Sequence, residues 1–243
     1  MNTPRVRIFA GPNGSGKTTL ADWLSEHYAL NLYRFISADV IYAEVVKSNR
    51  TACPFPMEHA ALMQFVEKAT FPQREKEWFL KGLVRIENDF AVFDATAVNS
   101  YTVALLADFY RSECVSRKES FSFETVFSHP SKVSFLKKAR ESGYRTYMYF
   151  VATDAPSINV SRIGSRVLNG GHDVPMEKVI ERYSRSLDNA AAALSYLNRA
   201  YFFDNSGMSI RFLAELNDGE WHLRTSNLPQ WFDRHILKSP NAE

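Results

Sequence analysis

The sequence predicts an α/β fold in which helices flank a mostly parallel sheet, and three observations carry that prediction. Residues 5–10 read as a short strand that runs into a glycine-rich loop and then into an amphipathic helix. Residues 144–151 are apolar or aromatic on both faces, as a central strand buried on both sides requires. Strand-like and helix-like segments alternate along most of the chain, the order expected where helices cross over between parallel strands. At 243 residues the chain fits one such domain with a mainly helical insertion at about 48–98.

Composition narrows the class. An apolar fraction of 45% fills a sizeable core, and 23% charged residues is ordinary for a soluble protein. A net charge of +2 with no basic stripe argues against a dedicated nucleic-acid binder. Cys53 and Cys114 share no metal-ligand or redox spacing and fit a reducing compartment. No N-terminal apolar signal region is present, and no run approaches the ~20 apolar residues of a spanning helix. The expectation is a soluble cytoplasmic protein.

The first strand, with Val6 and Ile8 on one face, leads into Gly11-Pro12-Asn13-Gly14-Ser15-Gly16-Lys17-Thr18. This satisfies G-x-x-x-x-G-K-[ST], the phosphate-binding loop of P-loop proteins. Glycines let the backbone curl so that successive N–H groups point into one concavity. Leu20, Leu24 and Tyr28 come next at four-residue spacing, so the loop opens a helix and the anion sits at its N-terminus. Gly11, Asn13, Gly14, Ser15, Gly16, Lys17, Thr18 and Thr19 are the expected nucleotide-binding residues. Lys17 is placed to reach the β- and γ-phosphates of ATP (or GTP), and the Thr18 hydroxyl to take a position on Mg²⁺. The expected architecture is a three-layer α/β/α P-loop fold.

Residues 33–36 read as a second strand, ending in Ser37-Ala38-Asp39 ahead of a helix with Val40, Ala43, Glu44 and Lys47. Asp39 lies where open parallel sheets bind ligands, and it also fits a helix N-cap; both readings stand. The insertion then predicts a helix over 57–69, with Ala61, Phe65 and Ala69 on one face, and another from Pro72 to about residue 86. Residues 90–94 read as a strand ending in Asp94, which either orients Mg²⁺ in the Walker-B manner or caps the next helix.

A helix over 101–116, a strand over 121–124 and a helix over 131–141 lead to the central strand. Residues 158–168 form a helix with Arg162 and Arg166 on one face, stopped by Asn169-Gly170-Gly171-His172. The next helix carries a core stripe of Val179, Tyr183, Leu187, Ala190, Leu194 and Leu197, with Arg182 and Arg185 off it. The arginine pair is either a solvated basic face or a lid over polyphosphate. A strand over 201–204, a hairpin turning at Asn217-Asp218-Gly219 and a short helix near Trp231 end the pattern.

In order, these pieces resemble the zeta-toxin-like P-loop kinases, which include zeta toxin and UDP-N-acetylglucosamine kinase-like proteins. The matching strings are the Gly11 to Thr18 loop, Ile36-Ser37-Ala38-Asp39, Ser122-Phe123-Glu124-Thr125, Gly143-Tyr144 and Arg162-x-x-x-Arg166. Gly170-Gly171-His172-Asp173-Val174-Pro175, Arg182-Tyr183-Ser184-Arg185-Ser186-Leu187 and Asp204-Asn205-Ser206 complete the set.

The resemblance implies Mg²⁺-dependent transfer of a phosphoryl group from ATP or GTP to a hydroxyl. In zeta toxins proper the acceptor is a UDP-linked N-acetylhexosamine, and an antitoxin restrains the enzyme. By motif, Asp39 matches the general base, Glu124 orients the acceptor, and Arg162 and Arg166 clamp phosphate beside Lys17. Thr125 and His172 fall among the acceptor-binding residues, and Asn205 near the nucleotide base. Ser37 stands where Asn is frequent, Val126 where a second Thr is usual, and the insertion matches no family segment. The expected function is a small-molecule kinase. An NTPase coupling hydrolysis to conformational change, and a nucleotide-binding regulatory protein without transferase activity, remain as alternatives.

Overall fold

The computed structural model describes residues 3–168 and 174–238. In chain order its elements are β1 (Arg5–Ala10), α1 (Lys17–Tyr28), β2 (Arg34–Ile36), α2 (Ala38–Ser48), β3 (Arg50–Ala52), α3 (His59–Lys68) and α4 (Gln73–Leu80). Next come β4 (Val84–Glu87), β5 (Phe90–Phe93), α5 (Ser100–Ser116), β6 (Phe121–Thr125), α6 (Ser131–Glu141), β7 (Arg145–Ala152) and α7 (Pro156–Leu168). The last are α8 (Met176–Ala193), β8 (Arg199–Asp204), β9 (Arg211–Asn217), β10 (Glu220–Leu223) and α9 (Gln230–Phe232). The chain divides into two compact units, residues 1–33 with 122–243, and residues 34–121.

The first unit holds strands in the order β10-β9-β8-β7-β1-β6, within a mixed, mostly parallel sheet that has helices on both faces. β1 and β8 each run parallel to β7, with Arg5 opposite Arg145 and Phe150 opposite Phe202. β7 is therefore the inner strand the sequence predicts, and Met148 to Ala152 are all buried. β9 and β10 add antiparallel beyond β8. Asp218 and Gly219, both at positive φ, make the tight turn between them. Along α8 the stripe Val179, Tyr183, Leu187 and Ala190 is buried and continues through Leu194 and Leu197.

Two charged groups are buried in this unit, in different ways. Arg7 on β1 is 8% exposed, and its guanidinium lies 4.8 Å from the Tyr33 ring centroid and 5.3 Å from that of Tyr147. Its Nε and Nη1 have no hydrogen-bond partner among the described residues, and the two ring faces help to carry its charge. Asp204, 1% exposed at the end of β8, accepts from Arg211 Nη2 at 2.9 Å, Ser206 Oγ at 2.6 Å and Trp231 Nε1 at 3.2 Å. That carboxylate ties the end of the sheet to the C-terminal helix.

The unit of residues 34–121 contains four helices and a small antiparallel sheet ordered β3-β5-β4. Helix α4 stops at Leu80, short of the residue 86 expected, because Gly82 turns the chain at φ 71. Val84 and Ile86 then alternate inward against β5 as a strand. On α3 the buried face is Leu62 and Val66, with Ala61, Phe65 and Ala69 only half-buried. The Phe55 ring lies between the guanidinium groups of Arg34, at 5.2 Å, and Arg117, at 4.3 Å, which also donates to Pro56 O at 3.1 Å. Asn99 and Thr102 form a reciprocal capping box at the start of α5. Neither cysteine is in a disulfide, and burial pushes Cys114 up to about 12, which makes its thiol inert.

No helix among the described residues is long and apolar enough to cross a membrane. Asp204→Ala should lower unfolding free energy by about 2 kcal/mol, because it leaves the buried Trp231 Nε1 without its acceptor and breaks the ties to Arg211 and Ser206. Urea denaturation measures the loss.

Candidate functional site

The loop between β1 and α1 is the one the sequence expects to cradle phosphate. Gly16 caps α1 in the left-handed region (φ 95), with no side-chain hydrogen bond at the cap. A Cβ there would stand 2.5 Å from Asn205 Nδ2 at a φ that L side chains rarely adopt, so any other residue is strained and displaces that amide. The first turn of α1 carries no acidic residue of its own, so the helix supplies no carboxylate to compete for its N-terminal backbone donors. Thr18 and Thr19 are exposed in that turn, and Ser15 is fully buried. The Lys17 ammonium donates to Pro12 O at 3.1 Å.

Two side-chain amides hold the loop from outside. Asn205, just past β8, donates from Nδ2 to Ser15 O at 2.8 Å, and its own N–H bonds Ala152 O at 2.8 Å. The structure thus places Asn205 against the loop itself. Asn159 on α7, absent from the residues expected by sequence, donates from Nδ2 to Asn13 O at 2.6 Å. Ser206 accepts from Asp154 N at 2.8 Å, which fastens the same segment to the end of β7.

The Thr18 hydroxyl donates to Glu124 Oε2 at 2.9 Å. Two residues expected in separate roles, metal and acceptor, are therefore hydrogen-bonded to each other. Thr125, next to Glu124, accepts at its hydroxyl from the Phe127 N–H at 3.1 Å, forming the turn in which Phe127 takes φ 61. Asn189 on α8 steadies that turn by donating to Phe127 O at 2.9 Å. A hydroxyl and a carboxylate at the mouth of a phosphate loop are hard oxygen donors of the kind magnesium takes.

Arg162 is half-buried on α7, its Nη2 at 3.4 Å from Gly207 O. Its Nη1 is buried with no hydrogen-bond partner among the described residues. Arg166, one turn on, is exposed. Arg185 pairs with Glu181 on the exposed side of α8. His172, with residues 169–173, lies outside the described residues.

Asp39 and Asp94 belong to the other unit. Ser37, not Asp39, caps α2, its Oγ accepting from Val40 N at 3.3 Å. That leaves the Asp39 carboxylate exposed in the first turn with no hydrogen bond or ion pair among the described residues. Asp94 comes directly after β5, a strand of the small antiparallel sheet. Its carboxylate accepts from Thr96 N at 3.0 Å and Thr96 Oγ1 at 2.7 Å, and these bonds hold its pKa below the usual carboxylate value. Asp94 thus caps the short turn Ala95–Ala97, while α5 is capped by Asn99.

No family model matches this sequence. An uncharacterized protein of Haemophilus influenzae is 32% identical over 63 residues, which cover 26% of this chain and 45% of that protein. The solved complex AvrRxo1-ORF1:AvrRxo1-ORF2 with sulphate ions is similar over 96% of this chain, with a TM-score of 0.61 and 14% identity. The same complex with ATP gives a TM-score of 0.60 at 14% identity. In both, the chain spans 63% of the length of the structure it matches. These likenesses establish a shared fold.

Asp94→Ala should lower the melting temperature slightly, as loss of an exposed cap does. Nucleotide binding should be unchanged. A thermal melt paired with an ATP titration tests both halves.

Proposed function

We propose that the chain is a magnesium-dependent kinase that transfers the γ-phosphoryl of ATP (or GTP) to a hydroxyl of a small molecule. The observation that carries this reading is the Thr18–Glu124 hydrogen bond at the mouth of a braced phosphate loop. It joins a polyphosphate cradle to two oxygen donors suited to the accompanying cation. The unpartnered Nη1 of Arg162 is a further donor for an acceptor that the described residues do not supply. A protein sharing the fold was solved with ATP, which supports the donor.

In this mechanism the loop N–H groups and Lys17 hold the triphosphate. Magnesium, when bound with the nucleotide, offsets polyphosphate charge, and Thr18 with Glu124 would hold it. Asp39, exposed and without a bond to satisfy, accepts the proton of the acceptor hydroxyl. The new O–P bond forms at the γ-phosphorus as its bond to the β–γ bridging oxygen breaks, and the nucleoside diphosphate leaves. Lys17, Arg162 and Arg166 stabilise the charge spread over the migrating group.

The zeta-toxin-like resemblance favours a nucleotide sugar as the acceptor, with Thr125 and His172 among its contacts. It also favours an antitoxin-like protein partner. That AvrRxo1-ORF1 was solved bound to ORF2 is in keeping with such a partner. Residues 48–98 are proposed as an insertion that adapts the acceptor side. Hydrolysis without an acceptor is the second reading, since Glu124 is also a carboxylate able to orient water.

With γ-labelled ATP and a metabolite extract, the parent protein should label one acceptor. Lys17→Ala should reduce transfer by about 10³-fold, and Asp39→Ala by about 10² to 10⁴-fold. An Asp39→Ala protein that transfers label at the parent rate removes Asp39 as the base, and rapid turnover without an acceptor favours hydrolysis. Glu124→Ala should raise the magnesium concentration giving half-maximal rate. A rise in acceptor KM alone would return Glu124 to the acceptor.

A further inference from the structure

We infer that Asn159 is a positioning residue of the phosphate site, one that aims a loop N–H and fastens the loop to the helix bearing Arg162. The inference rests on the phosphate-site reading above. Asn159 lies in the first half of α7, three residues before Arg162 and so on the same side of the helix. It is fully buried, although the residues around it on the helix are largely exposed or half-buried.

Both ends of its amide are used. Nδ2 donates to Asn13 O at 2.6 Å, and Oδ1 accepts from the Thr153 hydroxyl. The orientation is forced, because a backbone carbonyl only accepts and the amide nitrogen must face it. Thr153, buried just past β7, offers its own carbonyl to the Tyr183 hydroxyl on α8. The backbones also meet: a Cβ on Gly14, at φ 75, would stand 2.8 Å from Asn159 O.

The peptide between Asn13 and Gly14 is planar and trans, so its carbonyl and its N–H point in opposite directions. Holding the Asn13 carbonyl toward Asn159 turns the Gly14 N–H away from α7. Asn205 does the same for the next peptide but one, holding the Ser15 carbonyl and so directing the Gly16 N–H. Asn159 therefore sets a phosphate donor it does not itself provide. Since it stands on α7, it also fixes where Arg162 begins relative to the loop.

Binding of ATP with magnesium is measured by calorimetry on the parent, Asn159→Ala and Thr153→Val, each with its melting temperature. Asn159→Ala should weaken ATP about tenfold, the loss of one well-made buried hydrogen bond. Thr153→Val, which removes only the hydroxyl partner, should weaken it by a smaller factor. Parent-like ATP affinity in folded Asn159→Ala overturns the inference, whether or not the melting temperature falls, since a merely structural residue would lower that alone. In kcat, the losses from Asn159→Ala and Arg162→Ala should be less than multiplicative; multiplicative losses overturn the link to Arg162. A parent that binds no ATP overturns the phosphate-site reading itself, a result distinct from either of these.

Discussion

The planarity of the peptide bond is the constraint on which the rest of this site depends. A loop can present its N–H groups to phosphate only if the carbonyls of the same peptides are turned outward and satisfied there. In this chain two outward carbonyls, of Asn13 and Ser15, are met by the amides of Asn159 and Asn205. Those amides come from two different elements, α7 and the end of β8. The parallel pairing of β1, β7 and β8 brings those elements to one end of the sheet. The fold serves the loop by aligning strand ends.

Local patterns were legible in the sequence because local sterics determine them. The Gly11 to Thr18 string reads as a phosphate loop without tertiary information, and the α8 stripe comes from helical spacing alone. The doubly apolar run of β7 announces burial on both faces. The features that escaped reading were decided by contacts distant in the chain or by a single backbone angle. Gly82 ends α4 and releases Val84 to Glu87 into a strand, although their composition suits a helix as well. Asn159 looks like one more polar residue on an amphipathic helix, yet it is the fully buried one. The available clue was its spacing: it stands four residues before Ile163, the other buried position of α7.

Adjacent polar residues also divided their work in a way the sequence left open. Ser37 and Asp39 both suit a helix start, and Ser37 has the capping geometry, which leaves Asp39 its carboxylate. Thr125 and Glu124 sit side by side, but the first makes its own turn and the second reaches Thr18. At Asp94 the strand-then-acid pattern is real, and the strand belongs to the small sheet of the other unit. Motif strings name candidate residues; hydrogen-bond partners assign the tasks.

Arg7 carries a consequence for how this chain can vary. Its buried charge is held by the faces of Tyr33 and Tyr147, and burial of the Tyr33 phenol is outweighed by the pull of Arg7 and Arg5, which leaves that phenol below its ordinary pKa. Exchanging either ring for an aliphatic side chain strands a cation in the sheet. Exchanging the arginine for leucine leaves Tyr33 with Arg5 and Tyr147 with Arg145 as their cationic neighbours. Positions 7, 33 and 147 are thus expected to vary together among relatives, although they are far apart in the chain.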